Sequence, residues 1–179
     1  MTDHKLKYRN VRELAQLPFF KSDGKGLPAL AVEAPPIVDF HIHLGMSFFL
    51  SSPIDLKKKT RRVLHSFRDD SVSVDLSVYS GINLKEGRRT GSWSDHVHTL
   101  VTKRGPNATY TIPNSIEEMD SLGVQVSVVL PIDLPVASRN SQHTIENIAR
   151  NPRFIPFCGV NSLSANWEAE MDECLELGA

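Results

Sequence analysis

The stretch from Asn114 to Ala179 constrains the fold most, because strand and helix signals alternate there in a regular rhythm. Ser115 and Glu118 have the spacing of a capping box, and Ile116, Met119 and Leu122 recur at helical intervals before Gly123. Val124–Leu130 (VQVSVVL) is an apolar, β-branched run that predicts a buried strand. A helix follows over roughly Ser141–Arg150, broken by Asn151-Pro152. Phe154–Val160 predicts the next strand, although Pro156 lacks the N–H of a central strand. Ser164 opens a last helix to about Leu177, with Gly178 in the usual terminating position. Only residues 131–153 separate Leu130 from Phe154, the length of one helical crossover between parallel strands. An α/β fold is the expectation.

Upstream, Ile37–Leu44 (Ile-Val-Asp-Phe-His-Ile-His-Leu) follows Pro35-Pro36 and ends at Gly45, the pattern of one more strand. Period-two alternation puts Asp39, His41 and His43 on one face and Val38, Phe40, Ile42 and Leu44 on the other. Two histidines at i and i+2 on a rigid strand project the same way, so both imidazoles reach one cation. The bare pattern is not selective, since 7 histidines in this length supply roughly 0.3 such pairs by chance. Context separates this pair from His96-Val97-His98, which follows a polar Gly-Ser-Trp-Ser-Asp run instead of an apolar strand. His41 and His43 are therefore the candidate metal ligands, and packed or hydrogen-bonded histidines are the competing reading.

The remainder is less regular. Residues 1–36 form a leader: Asn10 and Glu13 predict a capped short helix over Val11–Leu17, and Ala29–Val32 predicts a short strand. Residues 46–113 form a long polar insertion after the first barrel-type strand, with a helix expected from Leu56 to about Phe67 capped by Asp55. Lys57, Lys58, Lys59, Arg61 and Arg62 are read as a solvated face of that helix. Lys plus Arg (20) balances Asp plus Glu (21), which argues against a nucleic-acid or anionic-membrane partner. No apolar run reaches the length of a membrane span, and the polar N-terminus lacks a signal-peptide core. Cys158 and Cys174 match no zinc or redox spacing and read as free thiols, so a cytoplasmic location is expected.

The run Ile37–Leu44 resembles the first-strand signature of the amidohydrolase superfamily, in particular its amidohydrolase-related branch. Met119–Val129 is similar to that branch's next helix and strand. Asn151-Pro152-Arg153-Phe154, Gly159-Val160-Asn161 and Glu176-Leu177-Gly178-Ala179 resemble its third unit. Phosphoesterases of the PHP type and TatD-type nucleases also begin with a His-x-His strand, and the combination with the later units favours the amidohydrolase-related branch.

The resemblance implies an incomplete (β/α)8 TIM barrel, three βα units with a long insertion after strand 1, spanning residues 37–179. It implies a divalent metal, usually zinc, and a metal-activated water that cleaves a C–N or C–O bond of a small-molecule substrate. It places Asp133 and Asn161 at the rim, as substrate-binding candidates or as caps of neighbouring backbone. The insertion becomes a candidate lid. The catalytic acid and the remaining ligands have no counterpart in this sequence, so the chain reads as a fragment inactive by itself. A homo-oligomer of a full-length enzyme is compatible with the resemblance. Two alternatives remain: a metal-dependent decarboxylase resembling aminocarboxymuconate-semialdehyde decarboxylase, and a non-catalytic α/β binding module.

Overall fold

A computed structural model describes residues 7–24, 28–47, 53–61, 74–75, 106–133 and 139–179. The chain divides into two compact units, Met1–Pro35 with His65–Ser92 and Pro36–Leu64 with Trp93–Ala179. The expected leader boundary at 36 lies next to this division, whereas the expected insertion 46–113 is shared between the two units.

In the first unit, β1 (Lys7–Tyr8) pairs antiparallel with a strand at Val74–Asp75, and β2 (Phe20–Ser22) pairs antiparallel with β3 (Pro28–Leu30). Asn10 caps the intervening turn, its side chain accepting the Glu13 N–H at 3.3 Å. Glu13 in return accepts from the Arg9 N–H at 2.8 Å and from Arg9 Nε at 2.7 Å. The turn is a 3-10 helix over Val11–Gln16, not an α-helix. Pro18 explains its end, since the residue before a proline avoids the helical region and Leu17 is extended.

With the Val74–Asp75 strand of the first unit numbered β5, the second unit carries β4 (Ile37–Ile42), α1 (Ile112–Leu122), β6 (Val124–Val129), α2 (Asn140–Ile148), β7 (Phe154–Pro156) and α3 (Trp167–Leu177). The sheet order is β4-β6-β7, and both pairs are parallel. The α/β class expected from the sequence is what the structure has.

Several element ends differ from expectation. The first helix begins at Ile112, so Ser115 is already inside it, donating its N–H to Thr111 O at 2.8 Å. Pro113 in the first turn costs no hydrogen bond there. Gly123 and Gly178 close their helices with φ of 71° and 105°, the left-handed region that glycine enters without strain. The last strand stops at Pro156, which has no N–H to continue a ladder. Ser164 lies before α3 and not at its cap; its hydroxyl accepts the Asn166 N–H at 3.3 Å and donates to Glu170 at 3.0 Å.

The helix expected from Leu56 does not form over residues 56–61, and residues 62–67 lie outside the described residues. Asp55 instead makes a local turn, accepting the Lys57 N–H at 3.0 Å. Leu56 is 1% exposed, so burial of this side chain in the core takes precedence over local helix propensity.

The core lies between the sheet and the helices. Leu44, Ile54, Leu56, Met119, Val129, Ile148 and Phe154 form it, with the partly buried Ile42 packed against them. Ile112, Ile116 and Met119 bring one face of α1 to it. On α2 the buried positions Ser141, Thr144, Ile145 and Ile148 repeat at i, i+3, i+4 and i+7.

Arg153 ties these layers together. Its guanidinium donates to the carbonyls of Gln125 (2.7 Å) and Val124 (2.9 Å) and pairs with Asp120 at 2.8 Å. One planar fork thus joins the end of α1 to the start of β6. Arg153→Ala should lower unfolding free energy by about 1.5–3 kcal/mol in urea titrations, and Arg153→Lys should restore little, because lysine cannot present the fork.

Candidate metal centre

The site begins with an irregularity in β4. Asp39 stands opposite Ser127 and Ile42 opposite Val129, so three steps on β4 match two on β6, a β-bulge. The Asp39 carboxylate accepts the His41 N–H at 3.0 Å, a backbone donor that the bulge takes out of the ladder. The expected single face for Asp39, His41 and His43 is therefore corrected. The pairing sets Asp39 on the face shared by Ser127, Ile42 and Val129, while the residues flanking Ile42 point to the other face. The same break leaves Val38 and Phe40 exposed, at 39% and 74%, while Ile42 and Leu44 pack into the core.

His41 and His43 come together. Their Nε2 atoms are 3.1 Å apart, with ring centroids at 4.9 Å and ring planes 86° apart. Two nitrogens each at 2.0–2.1 Å from a tetrahedral zinc are separated by about 3.4 Å, within a few tenths of an ångström of this separation. The outer nitrogen of His43 is engaged: Nδ1–H donates to the Leu130 carbonyl. Leu130 in turn donates its N–H to Ile42 O at 2.9 Å, extending the β4–β6 pairing by one step. With Nδ1 engaged by that carbonyl, Nε2 is the ring nitrogen left to ligate a metal.

The chemistry of this donor set fits a borderline-soft divalent ion. A catalytic zinc ordinarily takes three protein ligands, and among the described residues no group of three or more His, Cys, Asp or Glu side chains is placed to hold a metal ion. His96 and His98 lie outside the described residues.

The loop after His43 is held by residues that sequence reasoning missed. Gly45 N–H donates to Tyr110 O at 2.7 Å. Asn107 pairs with both backbone groups of Met46, accepting its N–H at 3.1 Å and donating to its carbonyl. Asn140, 3% exposed, accepts from the Ser47 N–H (2.9 Å) and hydroxyl (3.2 Å) and donates to Ser47 O (3.0 Å) and Ile132 O (2.7 Å). This amide uses its full capacity of two donors and two lone pairs. The only local signal was an Asn at a helix start, which reads as a cap.

Asp133 and Asn161 are engaged with backbone of nearby loops and helices. Asp133 accepts from the N–H of Asn140 (2.6 Å) and of Ser141 (3.1 Å), capping α2 from seven residues upstream. Asn161 opens a turn, with its side chain accepting the Leu163 N–H at 3.1 Å and its carbonyl accepting the Ser164 N–H at 2.9 Å. Burial raises the Asp133 carboxyl above its ordinary range, outweighing hydrogen bonds from Ser141 and Asn140 that lower it; the Glu170 charge adds to the rise.

Two outcomes follow from this part of the structure. Asn140→Ala leaves the Ser47 and Ile132 groups without partners and should cost about 1–3 kcal/mol in denaturant unfolding. At Asp133 the native state binds its proton more tightly than the unfolded chain, so this group's stabilisation is fully present below the ordinary pKa of 3.8 and is lost as pH rises through the raised value. Asp133→Asn should flatten that segment of the stability–pH curve, read from urea midpoints across the acid range.

No helix among the described residues is long and apolar enough to cross a membrane. No family model, no curated protein and no solved structure matches this chain.

Proposed function

We propose that this chain carries part of the metal centre of a metal-dependent hydrolase of the amidohydrolase type, with His41 and His43 as two ligands of a divalent cation, zinc by the nature of the donors. The single observation that carries the reading is the convergence of the two Nε2 atoms at 3.1 Å with the outer nitrogen of His43 hydrogen-bonded to the Leu130 carbonyl. The likeness of Ile37–Leu44 and the later units to the amidohydrolase-related branch supports the same reaction class.

Within this proposal the residues divide the work. His43 is oriented by the backbone at the end of β6, and His41 by the strand and by Asp39, which holds its N–H. A bound divalent ion supplies Lewis acidity, lowering the pKa of a water and polarising the oxygen of a carbonyl or phosphoryl substrate. Asn107 and Asn140 hold the loop that follows the ligands, limiting the reorganisation needed when a cation binds. Further donors and the group that transfers the proton come from outside the described residues. Asp133 and Asn161 bind substrate in this scheme only by exchanging their present backbone partners.

The competing reading is a non-catalytic module in which the imidazoles merely hydrogen-bond each other, favoured by the absence of a third donor among the described residues. Zinc titration of the full chain by calorimetry, with circular dichroism as the fold control, separates the two. The metal reading expects one zinc per chain, lost in both His41→Ala and His43→Ala while the far-ultraviolet spectrum is kept. Zinc uptake that is unchanged in both variants, or none in the parent chain, sinks it.

A further inference from the structure

His41 and His43 bring two nitrogen donors to within 3.1 Å of each other, whereas a closed zinc site takes four donors. Among the described residues no group of three or more His, Cys, Asp or Glu side chains is placed to complete such a set. The two imidazoles are also accessible from outside: His41 is exposed and His43 is half-buried. Beside them on β4, Phe40 is 74% exposed and Val38 is 39% exposed, so apolar surface lies uncovered next to the donors.

A second copy of this chain supplies what that surface lacks. It offers the same two imidazole nitrogens, and the two pairs together make four donors of a kind that zinc accepts. Electrostatics permit the approach. From Ala34 to Ser47, Asp39 is the only acidic residue and there is no Lys or Arg, so two copies meeting here bring one carboxylate each, and a dication between them offsets both. The protein contact by itself is too small to hold the pair. A stable interface buries roughly 800 Å² per partner, while a whole aromatic side chain supplies about 150–250 Å², so Phe40 and Val38 fall well short. Association at this surface therefore depends on the metal, with apolar contact adding to it.

We propose that zinc joins two copies of this chain through His41 and His43 of each, with Phe40 packed against the facing copy, in a dimer that persists only while zinc is scarcer than protein. The inference rests on the reading of the two histidines as metal ligands. Mass action sets the window. With chain in excess, an ion held by one pair of imidazoles gains two more nitrogens by recruiting a second copy. With zinc in excess, each chain takes its own ion and the pair separates into one-to-one complexes, the stoichiometry expected at saturation.

Sedimentation velocity of the full chain along a zinc titration tests this. The dimer fraction should reach its maximum near about half an equivalent of zinc, fall again when zinc is in large excess, and vanish on adding EDTA. His41→Ala and His43→Ala should each stay monomeric at every zinc level. Phe40→Lys, which sets like charges against each other across the contact, should lower the maximum severalfold while uptake still saturates at one zinc per chain. A parent chain that takes up zinc yet remains monomeric throughout overturns the inference and leaves the metal reading standing, the outcome expected if His96 or His98 supplies the further donors. A parent chain that takes up no zinc overturns both. A dimer that survives excess zinc, or one undiminished in Phe40→Lys, also overturns the inference. The parent-chain titration decides the question even if a variant fails to fold.

Discussion

The parallel pairing of β4 with β6 is the constraint on which the second unit depends. The end of β4 at Ile42 and the start of β6 at Val124 are separated in the chain by residues 43–123, so pairing the two strands closes a long loop. The entropy of that closure grows only as the logarithm of loop length, by about 0.6 kcal/mol per doubling, so a long insertion is tolerated where the closed ends bury enough apolar surface. The core around Leu44, Leu56, Met119, Val129 and Phe154 meets that condition. Without the pairing, the Leu130 carbonyl would not stand beside His43, and nothing would fix which ring nitrogen of that imidazole carries the proton.

Polar interactions at the strand ends are of a different kind from those in the core. Buried amides do there what ladder hydrogen bonds do in a sheet. Asn107 and Asn140 satisfy the backbone of Met46 and Ser47, and Asn114 does the same around Thr60, accepting its N–H at 3.3 Å and donating to Thr109 O at 2.8 Å. Irregular backbone buried next to a site needs such partners, because each unmet N–H or C=O costs free energy comparable to a lost hydrogen bond. The result is a segment after His43 that is irregular in shape, with the Gly45 N–H and both backbone groups of Met46 and Ser47 hydrogen-bonded.

Much of this was legible in the residues themselves. The helix terminations at Gly123 and Gly178, the buried strand at Val124–Val129 and the β6–α2–β7 crossover follow from turn chemistry and apolar periodicity, which are local properties. The pairing of His41 with His43 was legible because i and i+2 on an extended chain share a direction. Asp39 was misassigned by the same rule, since a bulge is invisible to strict alternation. The Leu56 helix failed for a related reason: its propensity is local, but the side chain is claimed by a core assembled from distant segments.

By itself, then, the sequence determined the α/β class, the order and approximate extent of the main elements, and the presence of two imidazoles aimed from one strand. Those depend on spacing between near neighbours. Tertiary structure alone decided the contact of His43 Nδ1 with the Leu130 carbonyl, the employment of Asp133 as a helix cap and the buried asparagine contacts. Each of these joins groups distant in the chain or depends on a partner's backbone carbonyl, and neither the distance nor the carbonyl's direction is written in the local pattern of side chains.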